Sequence, residues 1–292
     1  MQIGAFAMTA NPFATPDYIR AFGTAAEERG FHSLWVPEHV VLFDQYQSKY
    51  PYAADGRIPA PSESGPIDPF TVLSFLAAVT RTVRLGTGIC LVPQRNPVYT
   101  AKEVASLDWL SNGRFDFGVG IGWLAEEFQA LGVPFERRGA RCRDYLELMQ
   151  RCWSDPISQY AGEFHTLPAC RQFPKPIQQP HPPIYFGGES DAALKRVAQQ
   201  GQGWFPFSIG PDQLASRLRD LDALLAKRGR KRSDVRVITC PYFTPVDLDL
   251  VKRYSDVGVA EVVVLVLGGN PDGVRRALDK FAKDIVEPAR SL

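Results

Sequence analysis

Apolar positions gather in eight short runs, at residues 3–8, 33–37, 83–90, 115–121, 183–187, 203–207, 235–243 and 261–267. Most are continuously apolar rather than alternating, the pattern of parallel strands buried on both faces. Helical patterns separate them. Residues 16–29 follow Thr15, a good N-cap, and stop at Gly30. Residues 97–110 have Asn96 as N-cap and Pro97 at the first helical position, with Val98, Ala101 and Ala105 on one face. Asp68-Pro69 opens a helix to about Thr80, and further helices are expected over 137–153, 191–200, 212–228, 247–257 and 271–286. Strands alternating with helices make βαβ units. Eight units in this length predict a single (β/α)8 barrel domain over 1–292, ahead of a doubly wound sheet.

Two stretches are too long for ordinary connections: residues 40–67 after the second strand and the proline-rich 154–182 before the fifth. The first belongs to the face where barrels carry their chemistry. It bears Phe43, Tyr46, Tyr50 and Tyr52 and reads as a cover over a substrate. Phe205 and Phe207, ending the sixth strand, are candidates for the same pocket or for ordinary core.

Glycines cluster at the ends of strands three and four: Gly86 and Gly88, then Gly118, Gly120 and Gly122. Glycine weakens a strand, so its repetition marks close backbone approach, either to packed neighbours or to a flat ligand. The spacing G-x-G-x-G is not that of a Rossmann turn. Gly187-Gly188-Glu189-Ser190 ends strand five and opens a helix. That arrangement suits an anion, and a plain glycine turn with Ser190 as cap accounts for the same residues. Glu38 and His39 follow strand two; His39 can exchange a proton near neutral pH, with Glu38 placed to tune it. The arginines of 137–143 read as a solvated face.

Composition narrows the class. A net charge of +1 in 292 residues gives no field for nucleic acid or an anionic membrane. The longest apolar run, 262–267, is too short to span a bilayer, and the N-terminus lacks signal-peptide features. Five cysteines without a CxxC pair fit a reducing cytoplasm. Four histidines without HxH or HExxH give no metal site.

Three segments, AEERGFHSLWVPEHV (26–40), VRLGTGICLVPQRNPVYTAKEVASLDWLSNGRFDFGVGIGWLAEEFQALGVPFERRGAR (83–141) and PPIYFGGESDAALKRVAQQGQGWFP (182–206), resemble the bacterial luciferase-like superfamily of flavin and deazaflavin oxidoreductases. The WLAEEFQALG continuation is most similar to the branch using coenzyme F-420, a deazaflavin. The resemblance implies a TIM barrel with the cofactor ring at the strand C-termini, on Thr87, Gly88, Ile89, Ile121, Gly122 and Trp123. It implies a cis peptide bond between Gly88 and Ile89, a phosphate turn at Gly187, Gly188, Glu189 and Ser190, and His39 near the reactive atom. Deazaflavin sugar-phosphate dehydrogenases carry a glutamate where this chain has Trp123; Glu126 and Glu127 follow on the next helix. The implied activity is hydride transfer between reduced coenzyme F-420 and a small organic substrate. The alternatives are a monooxygenase using oxygen and reduced FMN from a separate reductase, and a non-catalytic flavin-binding protein. A homodimer is a further implication.

Overall fold

The computed structural model describes residues 1–61 and 63–292; Ser62, inside the expected excursion 40–67, lies outside the described residues. Eight parallel strands close into a ring: β1 (Gln2–Ala7), β2 (Ser33–Val36), β3 (Arg84–Thr87), β4 (Phe115–Gly120), β5 (Ile184–Gly187), β6 (Gly203–Phe205), β7 (Arg236–Thr239) and β8 (Glu261–Val266). Each pairs with the next, and β8 pairs with β1. Around them stand α1 (Pro16–Glu28), α2 (Pro69–Val79), α3 (Pro97–Leu110), α4 (Ala125–Ala130), α5 (Arg138–Ser154), α6 (Asp191–Gln200), α7 (Pro211–Ala226), α8 (Leu248–Asp256) and α9 (Pro271–Phe281). This is the predicted (β/α)8 barrel.

Boundaries differ where local chemistry intervenes. The single strand expected at 83–90 is cut after Thr87 by a cis Gly88–Ile89 bond and resumes as Cys90–Leu91, beside β4. The long segment before β5 carries an antiparallel ribbon, Ser158–Ala161 with Thr166–Cys170. The last helix relaxes into a π-helical turn, Ala282–Val286.

Inside the ring Trp35 stacks on Phe205 at 4.7 Å and meets Tyr185 edge-on at 5.8 Å. A Cβ at Gly86 would overlap the Trp35 ring, and one at Gly118 the Thr87 carbonyl. These two glycines serve barrel packing. The N-terminal end of the ring is plugged by paired charges. Arg84 grips Asp116 at 2.6 and 2.7 Å, and Arg236 reaches Glu261 at 3.0 Å. Both carboxylates are buried.

Candidate active site

At the opposite end the strands open onto a cavity of about 310 Å³. The Gly88–Ile89 turn forms its floor. Ile89 occupies the space that side chains at Gly120 and Gly187 would fill, and comes close to that of Gly118. The glycines of β4 and β5 therefore admit Ile89, and Ile89, with Gly88, Gly120, Ile121, Gly122 and Trp123, faces the cavity. Thr87 does not: it is buried and its hydroxyl donates to the Gly118 carbonyl at 2.7 Å. The expected ring contact at Thr87 is thus a strand-to-strand tie.

His39 projects from the turn after β2 onto the cavity wall. Its Nδ1 lies 3.1 Å from Glu127 Oε2. Glu127 is fully buried and also accepts from Gln94 Nε2 at 3.0 Å and from the Val40 N–H at 2.7 Å. Burial pushes this carboxyl up, but the bonds from His39, Gln94 and Val40 hold it below its ordinary value. Glu38 has a different task. Its carboxylate accepts from Arg95 Nε at 2.6 Å and from the Leu91 N–H, so it clamps the strand after the cis bond. The carboxylate expected to tune His39 is accordingly Glu127. Adjacent residues leaving a strand point apart, and the true partner comes from α4, 88 positions away.

The excursion after β2 forms the outer wall. Tyr50, Tyr52, Trp123, Phe207 and Tyr242 line it together, with Phe205 and Phe6 deeper. Ring centroids stand 5.3 Å apart for Tyr50–Trp123, 5.0 Å for Tyr52–Phe207 and 4.6 Å for Phe207–Tyr242. Glu126 straps the excursion down, accepting from Gln47 and Ser48 N–H groups at 2.7 and 3.2 Å. Those bonds draw its carboxyl down to about 2, against the upward push of burial. Two expected pocket residues lie outside the lining. Tyr46 props the excursion from within: its hydroxyl accepts from the Ile58 N–H at 2.7 Å, and its ring lies under Arg57 and against Trp123. Phe43 is half-buried and does not border the cavity.

At the far end lies the turn from β5 into α6. Gly188 has φ +94°, a conformation open to glycine, and Ser190 caps the helix by accepting from the Ala193 N–H at 3.2 Å. Glu189 turns toward the aromatic wall, where Oε1 accepts from the Phe207 N–H at 2.6 Å and Oε2 is reached by the Tyr52 hydroxyl at 3.5 Å. Burial pushes its carboxyl up. Arg196, six residues beyond Ser190 in α6, lines the cavity. Arg138, at the start of α5, lies over the Phe135 ring and donates to the Gly122 carbonyl at 3.1 Å. Neither arginine makes an ion pair with the described residues. Burial, and for Arg138 also the nearby Arg196 charge, lowers the affinity of each for its proton. The arginine-rich start of α5 is therefore not simply a solvated face. Arg141 is buried too, donating to the Pro134 carbonyl at 2.6 Å.

Sequence reasoning missed Glu127, Gln94, Tyr242 and the two arginines. Only the position of Glu126 and Glu127 after Trp123, and the ERRGAR run for Arg138, hinted at any of them. No described helix is long and apolar enough to cross a membrane.

A closed barrel with a cavity at its strand C-termini defines the class of enzyme folds to which this chain is comparable. A family model described as luciferase-like monooxygenase matches residues 1–247, and the chain belongs to that family. An uncharacterized protein of Mycobacterium tuberculosis is 33% identical over 275 residues, covering 93% of each chain. The oxygenase component of the flavin-dependent trigonelline monooxygenase of Acinetobacter baylyi is 30% identical over 178 residues, 60% of this chain and 44% of that protein. Among solved structures, an F420-dependent secondary alcohol dehydrogenase in complex with an F420–acetone adduct superposes with a TM-score of 0.77 at 18% identity, over 97% of this chain and 98% of that one.

Proposed function

We propose that the protein is an oxidoreductase that binds a flavin-type ring on the Gly88–Ile89 floor, and that the cofactor is reduced coenzyme F-420. One observation carries this reading: a single cavity joins a flat floor, a histidine–carboxylate pair, and an end bearing arginine without a counter-anion. The residues fit the group. Ile89, Gly120 and Gly122 offer a thin surface to a planar ring. Ser190 with the free N–H groups of the first turn of α6, and Arg196 with Arg138 behind it, offer a phosphate its hydrogen bonds and its charge. Arg138, near enough to feel the Arg196 charge, adds positive charge behind this end, which favours a cofactor with a longer anionic tail.

When bound, the cofactor supplies hydride transfer at its ring; the protein supplies position, exclusion of water and protons. Trp123 and the strapped excursion exclude water. His39, held by Glu127, exchanges the proton through the ring nitrogen that does not face the carboxylate. Glu38 and Gln94 hold the frame. An organic substrate would lie between the floor and the aromatic wall.

The second reading, an FMN-dependent monooxygenase fed by a separate reductase, draws support from the flavin-dependent relative. A homodimer belongs to both readings as an expectation. Titration of the purified protein with oxidised and reduced forms of each cofactor separates them. The leading reading expects tighter binding of coenzyme F-420 and oxygen-independent turnover. Tighter binding of FMN with oxygen-dependent product would overturn it.

A further inference from the structure

The cavity has a second uncompensated charge, of opposite sign. Glu189 borders the cavity among Tyr50, Tyr52, Phe207 and Tyr242. One of its oxygens is engaged by the Phe207 N–H; the other has only the long contact from the Tyr52 hydroxyl. No described Lys, Arg or His lies within ion-pair distance of it. Of the cationic residues that border the cavity, His39 belongs to Glu127, and Arg196 makes no ion pair with Glu189.

A pocket for a neutral apolar substrate gains nothing from a half-buried carboxylate with no cation beside it, whose charge is only partly met by the Phe207 N–H and the Tyr52 hydroxyl. The surrounding rings present the same preference in another form, since aromatic faces attract cations through their quadrupole. Resting on the reading of this cavity as the substrate site, we infer that the substrate is a planar organic cation: a heteroaromatic ring carrying a quaternised or protonated nitrogen, its charge facing Glu189 and its ring among Tyr50, Tyr52, Phe207 and Tyr242. Burial now disfavours the ionised form of Glu189, and a bound cation would restore it. The side chains leaving this one turn would then sort ligands by charge, the cofactor's anionic tail toward Ser190 and Arg196 and the substrate's cation toward Glu189 on the aromatic side.

The test uses the full-length protein without added cofactor at pH 8. The probes are N-methylquinolinium and quinoline, alike in shape and different in charge, followed by calorimetry. The wild type should bind N-methylquinolinium at least about tenfold tighter, within the range of a desolvated cation among aromatic faces with a carboxylate. Glu189→Gln should remove most of that preference while leaving quinoline affinity unchanged. Tyr242→Phe should keep most of the preference and Tyr242→Leu should lose part of it, about two- to fivefold. Equal binding of the two probes by wild type, or a preference that Glu189→Gln leaves undiminished, would overturn the inference. So would weaker coenzyme F-420 or FMN binding by Glu189→Gln with the probe preference intact, since the carboxylate would then serve the cofactor. Failure of both cofactors to bind would defeat the proposed function while leaving the probe preference readable.

Discussion

The two ends of this barrel both bury charge, and they treat it differently. At the N-terminal end Asp116 has Arg84 and Glu261 has Arg236, at 2.6 and 3.0 Å. The Trp35 indole N–H donates to the Ser33 hydroxyl at 2.6 Å, and that hydroxyl in turn donates to Glu261. At the C-terminal end Glu189 has no cation, and Arg196 and Arg138 have no anion among the described residues. Two pairs stand there as well: Glu38 with Arg95 holds the frame of the cavity, and Glu127 orients His39 on its wall. At the closed end every charge serves the fold; at the open end a charge without a partner that faces the cavity is free to meet a ligand, and the His39–Glu127 pair is placed to exchange a proton with it.

Breaking a pair at the closed end should have the largest effect. Arg84→Leu leaves Asp116 buried and alone, and should cost about 3–5 kcal/mol in urea denaturation. Next in size, His39→Ala should lower turnover by about 100-fold, with cofactor affinity nearly unchanged; steady-state kinetics beside a binding titration reads both. Unchanged turnover removes His39 from the proton path. Arg196→Leu sharpens the contrast. It should weaken binding of the phosphate-bearing cofactor by about tenfold or more and leave urea stability equal or slightly raised, because it deletes a charge with nothing to lose. The smallest effect concerns the strap. Glu126 and Glu127 both sit below their ordinary carboxyl range in the folded protein. Their contribution is complete above the unfolded carboxyl value and is lost as pH falls below it, for Glu126 toward about 2. Glu126 is exposed enough for solvent to screen it, so the loss should show as faster amide exchange over residues 40–48 in acid rather than as global unfolding.

The barrel was legible because buried parallel strands write themselves as continuous apolar runs, and β1, β4, β5 and β8 fall within a few residues of those runs. The Gly88–Ile89 bond and the β5–α6 turn were legible through family resemblance. The purpose of the glycines was only half legible. Gly86 makes room for Trp35, while Gly120 and Gly187 make room for Ile89, and neither neighbour is adjacent in sequence. The same distance hid the His39–Glu127 pair and made Glu38, its neighbour in the chain, the apparent partner. Arg138 looked like surface because its cover comes from Phe135 and Gly122, which only the folded turn brings together. Tyr46 and Phe43 carried the right chemistry for a pocket wall, but the excursion turns Tyr50 and Tyr52 inward instead.

The central claim is that charge left unanswered at the open end is answered by ligand. The most direct measurement compares the affinity of wild type and Arg196→Leu for the cofactor with and without its phosphate. The account predicts that the phosphate strengthens wild-type binding by about tenfold or more and that Arg196→Leu removes most of that gain. Equal affinity of wild type for the two forms, or a phosphate gain that Arg196→Leu leaves intact, would contradict it.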